Sequence, residues 1–381
     1  CIEILEKRKI LFNLWTKLML SKTNRNRKYM DLAISMASDR IGLTGSNPSV
    51  ACVIVKNNKI ISTGQTGIGG VPHAEADAIN NSSEKVNGSI LYVTLEPCSH
   101  YGKTPPCTKL IINSKIKKVF YSVNDIDTRS AGKSEKIFKN NKISCQKFLL
   151  KKRGLDLYNS YFHIKKSDLP FVTGKIVCTK DYYINTGSKY ISNKFSLDFS
   201  HLLRYKNHGL LISYKTANSD NPKLSCRLPG LEKFSPHRII IDKDLKIKKN
   251  LYLIKSAKKV KTFIFYNKKN PKYKYLKKKG IKMIYCSINS NKELDLFDLL
   301  KKIKKLKIDY LLVEGGKKLT LSFLKLNLFN NFYLIRSDQY SFGKKKNNIY
   351  EISKFLKKRN LLKTKIVKTY LEDDKITQYY K

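Results

Sequence analysis

The chain has few cysteines, few acidic residues and no long uncharged apolar run. Eight cysteines in 381 residues are too sparse for a disulfide scaffold, and no stretch approaches the ~18 apolar residues that a membrane span needs. No signal peptide with a charged start, an apolar middle and a small-residue cleavage site is present. We therefore expect a cytoplasmic protein with reduced thiols and no membrane partner.

Positive charge is in large excess, with 77 Lys and Arg against 29 Asp and Glu and a formal net charge of +48. Such a charge normally argues for nucleic acid or another anionic partner. Arginine, which makes bidentate contacts to phosphate and guanine, supplies only 11 of the 77, so 66 are lysines scattered along the chain. This composition favours a general lysine bias over a nucleic-acid-binding face. Attraction of anionic small substrates is the remaining alternative.

Length and pattern predict two α/β domains. The 381 residues exceed the ~100 to 200 of an ordinary domain, and a polar stretch separates two runs of alternating strand-like and helix-like segments. We predict an extension at 1–28, a first domain at 29–150, a connecting helix or linker at 151–169 and a second domain at 170–381. No G-x-G-x-x-G fingerprint occurs, which argues against a Rossmann dinucleotide fold.

His73, Glu75, Cys98 and Cys107 occur as H-x-E followed by P-C and a second cysteine, the order found in zinc nucleobase deaminases. A neutral imidazole and two thiolates suit a tetrahedral zinc with one open position for water. Glu75 lies close enough to His73 to reach that position without being a ligand, and can carry protons there. We predict zinc ligands at His73, Cys98 and Cys107 and a catalytic Glu75. A disulfide between the cysteines is the alternative.

The segment SHYGKTPP separates the two cysteines, where common deaminases have only two residues. It must loop out beside the metal, which places His100 and Lys103 at the mouth of the pocket. A lysine and a histidine there suit a phosphate or a polar heterocycle. Ordinary solvated loop residues are the alternative for both.

Three segments, NPSVACVIV, PHAEADA and YVTLEPCSHYGKTPPCT, resemble the deaminase half of the bifunctional riboflavin-biosynthesis deaminase/reductases over about residues 29–150. The resemblance implies a cytidine-deaminase-like α/β/α sandwich with substrate contacts from Asn47, His100 and Lys103. It also implies hydrolytic removal of the 2-amino group of 2,5-diamino-6-(5-phosphoribosylamino)pyrimidin-4-one, a small phosphorylated pyrimidine. Thr66 stands where the family usually has a histidine, so one substrate contact is altered.

The second half resembles the reductase half of the same family, on segments that include PFVTGKIVCTKD, PHRIIID and LLVEGG. This resemblance implies a dihydrofolate-reductase-like α/β domain that uses NADPH to reduce the ribose to a ribityl chain. The implied substrate contacts are Lys175, Ser188, Arg204, Leu224, Arg227 and Glu314. The implied cofactor contacts are Val177, Tyr190, Thr216, Asp220 and Gly316.

Departures from the family pattern are more numerous in the reductase half. Tyr190 stands where the family commonly has tryptophan, and Asn221 replaces the second aspartate of D-D-P. A deaminase with a degenerate reductase domain is therefore one alternative. A nucleic-acid deaminase and a non-catalytic anion-binding protein are less favoured, and the sequence leaves homo-oligomer formation open.

Overall fold

A computed structural model describes residues 24–102, 104–185, 191–341, 346–358 and 365–380. The chain divides into two compact units between Lys165 and Lys166. The predicted contacts Lys103, Ser188 and Tyr190, and most of the predicted extension, lie outside the described residues. No helix among the described residues is long and apolar enough to cross a membrane.

The first unit is a sheet flanked by helices. Its strands are β1 (Ala51–Lys56), β2 (Lys59–Gln65), β3 (Ile90–Leu95), β4 (Lys118–Val123) and β5 (Ser144–Gln146). Its helices are α1 (24–39), α2 (Ala74–Asn80), α3 (Cys107–Asn113), α4 (Ser134–Asn140) and α5 (Lys151–Lys166). The described strands have the order β2-β1-β3-β4-β5; β1 is antiparallel to both neighbours, whereas β3, β4 and β5 are parallel.

The first two strands form a β-hairpin. Asn57 and Asn58 connect β1 to β2 with φ of 50° and 63°. A two-residue hairpin turn needs positive φ at both positions, and asparagine tolerates this region better than most residues. The turn therefore sets the register of the strand pair at the edge of the sheet.

Helices α1 and α5 extend the first unit on both sides of the predicted domain at 29–150. The predicted boundary at 28/29 falls inside α1, and Tyr92 of β3 donates a hydrogen bond to Asn26 of this helix at 2.7 Å. Helix α5, within the predicted linker at 151–169, packs Leu157 and Tyr158 into the first core. The Tyr158 hydroxyl also lies 2.6 Å from Thr94 Oγ1 of β3. Helix α5 is thus part of the first unit up to the division at Lys165.

The second unit is built on a longer, mixed sheet. Its strands are β6 (Phe171–Cys178), β7 (Tyr183–Asn185), β8 (Gly209–Ser213), β9 (His237–Ile241), β10 (Thr262–Tyr266), β11 (Lys282–Tyr285), β12 (Tyr310–Val313), β13 (Asn331–Arg336), β14 (Lys346–Asn348), β15 (Lys365–Leu371) and β16 (Asp374–Tyr380). Its helices are α6 (Lys194–Tyr205), α7 (Tyr214–Asp220), α8 (Tyr252–Lys255), α9 (Lys272–Lys278), α10 (Leu296–Lys305), α11 (Lys317–Lys325) and α12 (Tyr350–Lys358).

In the described part, nine of these strands form one sheet in the order β11-β10-β9-β8-β12-β6-β13-β16-β15. The first seven strands in this order, from β11 through β13, are parallel to one another. The β15–β16 hairpin adds an antiparallel edge next to β13. Leu211 and Leu311 belong to one buried cluster, and Leu210 and Leu312 to another. Consecutive strand residues face opposite sides, so the sheet is covered on both faces.

The parallel strands end at the same edge of the second sheet. The residues at or just after the ends of β8, β9 and β12 are Ser213, Ile241 and Glu314. Open α/β sheets bind ligands outside the carboxyl ends of their strands. This edge is therefore the expected position of a ligand site in the second unit.

Candidate active sites

His73, Cys98 and Cys107 converge in the first unit. His73 precedes α2, Cys98 follows β3, and Cys107 begins α3. His73 Nδ1 lies 3.5 Å from Cys98 Sγ and 3.4 Å from Cys107 Sγ, and the three candidate ligand atoms all lie within 4.8 Å of one another. Both cysteines are free thiols, so no disulfide joins them. One imidazole nitrogen and two sulfurs at this spacing are a fitting donor set for zinc.

A glycine in β2 positions the helix that carries His73 and Glu75. A Cβ atom at Gly64 would lie 2.3 Å from both the Ala74 carbonyl oxygen and the Ala78 backbone nitrogen. Any larger side chain would push α2 away from the sheet. Since His73 and Glu75 stand at the start of α2, Gly64 sets how close they come to the loop after β3.

The two thiols have unequal acidities. The hydrogen bond with Cys107 lowers the pKa of Cys98 to about 4, burial opposes this effect, and the hydrogen bond with His73 assists it. The Cys107 backbone N–H also donates to Cys98 Sγ at 3.3 Å. The thiolate is the form of cysteine that binds metals. Cys98 is therefore prepared for ligation at neutral pH.

Glu75 is a buried carboxyl beside the cluster, with only 4% of its surface exposed. Burial raises the pKa of Glu75 to about 7, and the negative charge of Cys98 adds to the effect. A group that must both accept and release a proton works best when its pKa is near the working pH. This environment suits a proton carrier.

Asn47 and Thr66 lie in the segments before β1 and after β2. Asn47 Nδ2 donates to the Gly70 carbonyl at 3.1 Å, which ties its loop to the turn before His73. Thr66 is buried, and its hydroxyl accepts a hydrogen bond from Val50 N at 3.0 Å. Thr66, which stands where the family usually has a histidine, therefore forms a hydrogen bond with the backbone just before β1.

Sequence reasoning assigned no role to Glu96, which proves to organise a neighbouring loop. Its carboxylate is 2% exposed and accepts hydrogen bonds from the backbone N–H groups of Asp125, Gly132 and Ser134 at 3.2, 3.0 and 3.2 Å. The Ser134 hydroxyl donates to it at 2.8 Å. An acidic residue at the end of a buried strand was the only sequence signal. Glu96 fixes the segment 125–134, defined here as the Glu96 loop.

We expect Glu96→Gln to destabilise the first unit by about 1–3 kcal/mol, because an amide NH₂ would then face backbone donors in a buried position. Thermal unfolding of this variant, compared with that of the parent protein, checks the prediction. Glu135→Gln, which changes a carboxylate of α4 that is 43% exposed and paired with Lys147, is the matched control and should unfold like the parent. Equal unfolding of all three proteins would contradict the role of Glu96.

The second candidate site is a cleft of about 1680 Å³ at the carboxyl ends of the parallel strands. It lies within the second unit. Of the residues that the sequence predicted for the reductase, six line this cleft: Lys175, Val177, Thr216, Asp220, Glu314 and Gly316.

Arg204, Glu314 and Lys175 form a buried ion triad. Arg204 Nε and Nη2 donate to the two Glu314 carboxylate oxygens at 2.9 and 2.8 Å, and Lys175 Nζ lies 3.7 Å from Oε1. The three side chains are only 10–13% exposed. Burial by itself would raise the pKa of Glu314, but the charges of Arg204 and Lys175 outweigh it and lower the pKa to about 2. Burial lowers the pKa of Lys175, and Glu314 offsets part of this effect.

Three predicted contacts, Leu224, Arg227 and Arg204, do not line the cleft. Leu224 is buried, with a φ of 54°, whereas the side chain of Arg227 is exposed. The Arg227 backbone N–H donates to His201 Nδ1 at 3.3 Å. Arg204 is also absent from the lining and reaches the cleft through its bidentate contact with Glu314.

Six lysines that sequence reasoning did not single out line the cleft besides Lys175. In a chain with 66 lysines, no local pattern marks the few that converge. Their positions depend on the order of the strands, which brings distant loops to one edge. The lysines that line the cleft besides Lys175 are Lys215, Lys243, Lys292, Lys317, Lys318 and Lys325.

Comparison with known proteins gives consistent matches over both units. The family model of the cytidine and deoxycytidylate deaminase zinc-binding region matches residues 23–123, and that of the RibD C-terminal domain matches residues 170–341. Riboflavin biosynthesis protein RibD of Aquifex aeolicus is 35% identical over 308 residues, which cover 80% of this chain and 85% of that protein. The protein of the same name from Actinobacillus pleuropneumoniae is 34% identical over 316 residues, 82% of this chain and 83% of its own.

Solved structures give the same result. The crystal structure of a diaminohydroxyphosphoribosylaminopyrimidine deaminase/5-amino-6-(5-phosphoribosylamino)uracil reductase from Thermotoga maritima superimposes with a TM-score of 0.79 at 27% identity. It covers 94% of this chain and 99% of that one. Acinetobacter baumannii RibD has a TM-score of 0.77 at 23% identity, with the same coverage.

Proposed function

Because the chain belongs to the riboflavin biosynthesis RibD family, we infer that its two units act in succession on one phosphorylated pyrimidine. The chain is a bifunctional enzyme, a zinc deaminase and an NADPH-dependent reductase. It removes the 2-amino group of 2,5-diamino-6-(5-phosphoribosylamino)pyrimidin-4-one and then reduces the ribose of the product to a ribityl chain. The observation that carries this conclusion is the convergence of His73, Cys98 and Cys107 beside buried Glu75.

In the deaminase unit, His73, Cys98 and Cys107 would hold the zinc. When bound, zinc supplies a Lewis acid that makes water a better nucleophile at neutral pH. Glu75 would take a proton from the attacking water and deliver it to the departing amine, and its buried carboxyl beside the ligands is placed for both transfers. Asn47, His100 and Lys103 would bind the pyrimidine phosphate around this centre.

In the reductase unit, the cleft would hold NADPH, which supplies the hydride. Gly316 caps the N-terminus of α11 on the cleft wall, and backbone N–H groups at a helix start favour phosphate oxygens. Val177, Thr216 and Asp220 would complete the cofactor contacts, with Ser188 and Tyr190 as further predicted contacts of substrate and cofactor.

The two arginines of the predicted substrate site would have different tasks. The guanidinium of Arg204 is committed to Glu314 and to the Ser225 carbonyl. Arg227 has an exposed side chain, and an exposed guanidinium suits bidentate recognition of the ribose phosphate. We therefore assign phosphate binding to Arg227 and the alignment of Glu314 and Lys175 to Arg204, and we retain Leu224 as a proposed substrate contact.

We place the enzyme in the cytoplasm, where free thiols are the rule, with a small phosphorylated pyrimidine as its partner and no nucleic acid. Incubating the full-length protein with the diaminopyrimidine phosphate tests the activity. Ammonia should be released without NADPH, and NADPH should be oxidised only after deamination. Ammonia without NADPH oxidation would instead identify a deaminase with a degenerate reductase domain, and ammonia released from RNA or single-stranded DNA would favour a nucleic-acid deaminase.

We expect about one zinc per chain in the purified protein, because three ligand atoms already lie within 4.8 Å of one another. Metal analysis of the parent and of His73→Ala measures this, and the variant should hold much less zinc. Cys145→Ala, which removes a thiol of β5, is the control and should retain the parent's zinc content. Absence of zinc from the parent would contradict the metal assignment.

A further inference from the structure

Ser130, in the Glu96 loop, has no role in the reaction proposed above. Its side chain is completely buried. Its hydroxyl oxygen lies 2.7 Å from His100 Nδ1 and accepts a hydrogen bond from Ser99 N at 3.1 Å. Ser130 therefore holds two consecutive residues of the cysteine-to-cysteine segment.

The contacts of this hydroxyl determine which ring nitrogen of His100 carries the proton. A serine hydroxyl has one proton to donate and two lone pairs to accept with. The Ser99 N–H occupies one lone pair, and His100 Nδ1 is the other hydrogen-bond partner of the hydroxyl among the described residues. Since a buried hydroxyl proton needs an acceptor, Ser130 donates to Nδ1. In the neutral ring the proton then lies on Nε2.

His100 Nε2, the other ring nitrogen, makes no hydrogen bond within the described part of the chain. A Cβ atom at Gly102 would lie 3.9 Å from it, at ordinary van der Waals contact, so the neighbouring glycine does not obstruct this nitrogen. An Nε2–H group donates hydrogen bonds and cannot accept them. It suits a carbonyl or phosphate oxygen of the substrate and disfavours a donor such as an amino group.

The hydroxyl is held firmly enough to act in this way. Glu96 fixes the loop on both sides of Ser130, through Asp125 N at one end and through Gly132 N and the Ser134 N–H and hydroxyl at the other. The Ser130 backbone N–H donates to the Asp127 carbonyl at 2.8 Å. The oxygen that meets His100 is therefore anchored to the buried end of β3.

We propose that Ser130 is a positioning residue of the deaminase, which orients His100 and fixes its Nε2–H tautomer so that it donates to an oxygen of the pyrimidine phosphate. The proposal rests on the proposed function, in which His100 contacts the substrate. In this contact His100 donates the hydrogen bond and a substrate oxygen accepts it.

Steady-state deamination by the full-length, zinc-loaded protein tests the proposal. Ser130→Ala should raise KM about five- to tenfold with little change in kcat, as expected when one hydrogen bond of about 1 kcal/mol to bound substrate is misaligned. Ser99→Ala is the matched control, because it deletes a hydroxyl one residue from His100 whose contact is the Arg129 carbonyl at 3.4 Å. This control should keep the parent's KM.

A double-mutant cycle separates positioning from a general structural role. In a His100→Ala background, Ser130→Ala should have no further effect on KM. The same KM increase in both backgrounds, or a parental KM in Ser130→Ala, would overturn the proposal. Absence of deamination in the parent would instead refute the proposed function.

Nitrogen-15 NMR of labelled histidine provides a direct readout, with the His100 signal assigned by its loss in His100→Gln. The neutral ring should carry its proton on Nε2 in the parent and populate both tautomers in Ser130→Ala. A proton on Nδ1 in the parent would overturn the proposal even if KM changed.

Discussion

Glu75→Gln is expected to reduce deaminase kcat by about 10²- to 10⁴-fold, the range that general acid–base groups contribute, while zinc remains bound. Glutamine keeps the size of the side chain and its place at the start of α2 but cannot carry a proton. No zinc ligand changes, because the ligand atoms belong to His73, Cys98 and Cys107. Ammonia release and zinc content measured on the same preparation check the two halves of the prediction.

Asp77→Asn is the matched control for this substitution, because it neutralises another carboxylate of α2. Asp77 Oδ2 accepts a hydrogen bond from Gln65 N at 2.9 Å, and an amide oxygen can accept the same bond. This variant should deaminate within a few-fold of the parent, and both variants should keep full reductase activity. Parental turnover by Glu75→Gln would remove Glu75 from the proton-transfer role.

Glu314→Gln should destabilise the second unit by about 3–5 kcal/mol, the cost of removing one partner of a buried ion pair, and should abolish reduction. Arg204 and Lys175 would face each other at 13% and 10% exposure with no carboxylate between them. Deamination should persist, because its residues belong to the other unit. Thermal unfolding and the two activities, measured side by side, check this prediction.

Glu293→Gln is the control for Glu314→Gln, since Glu293 also lines the cleft but is 44% exposed and pairs with the exposed Lys318. An exposed ion pair contributes little, so this variant should unfold like the parent and retain reduction. Equal loss of both activities in Glu314→Gln would indicate general misfolding rather than a reductase-specific effect.

The pH dependence of stability provides a second readout of the triad. The pKa of Glu314 is about 2 in the folded protein, below the ordinary value of about 4.3 for glutamate. A depressed folded-state pKa means that the stabilisation is complete above about pH 4.3 and is lost as the pH falls towards 2. Acid unfolding of the second unit should therefore contain a component in this window that is missing in Glu314→Gln. Identical acid transitions in the two proteins would contradict the charge-based account.

Local sequence predicted the elements that depend on neighbouring residues. Paired asparagines favour a turn with positive φ, so the β1–β2 hairpin follows from local sequence, and β3 and β4 follow from short apolar runs. The zinc cluster could also be predicted, because H-x-E before a helix and a second cysteine at the start of another helix combine residue chemistry with local structure. Local sequence marks other strands less clearly: β5, β11 and the late hairpin β15–β16 are polar or lysine-rich, and pairing in the sheet stabilises them.

The sequence by itself thus determined the reaction chemistry of the first unit, the alternating α/β pattern and the residue types of both sites. Only the tertiary structure decided which side chains meet. Arg204 and Glu314 are 110 residues apart, His100 and Ser130 are 30 apart, and Glu96 reaches Ser134 across 38. Periodicity and capping act over a few residues, whereas these contacts depend on strand order and on how the whole core packs. The triad, the Glu96 loop and the orientation of His100 therefore emerge only when the sheets are assembled.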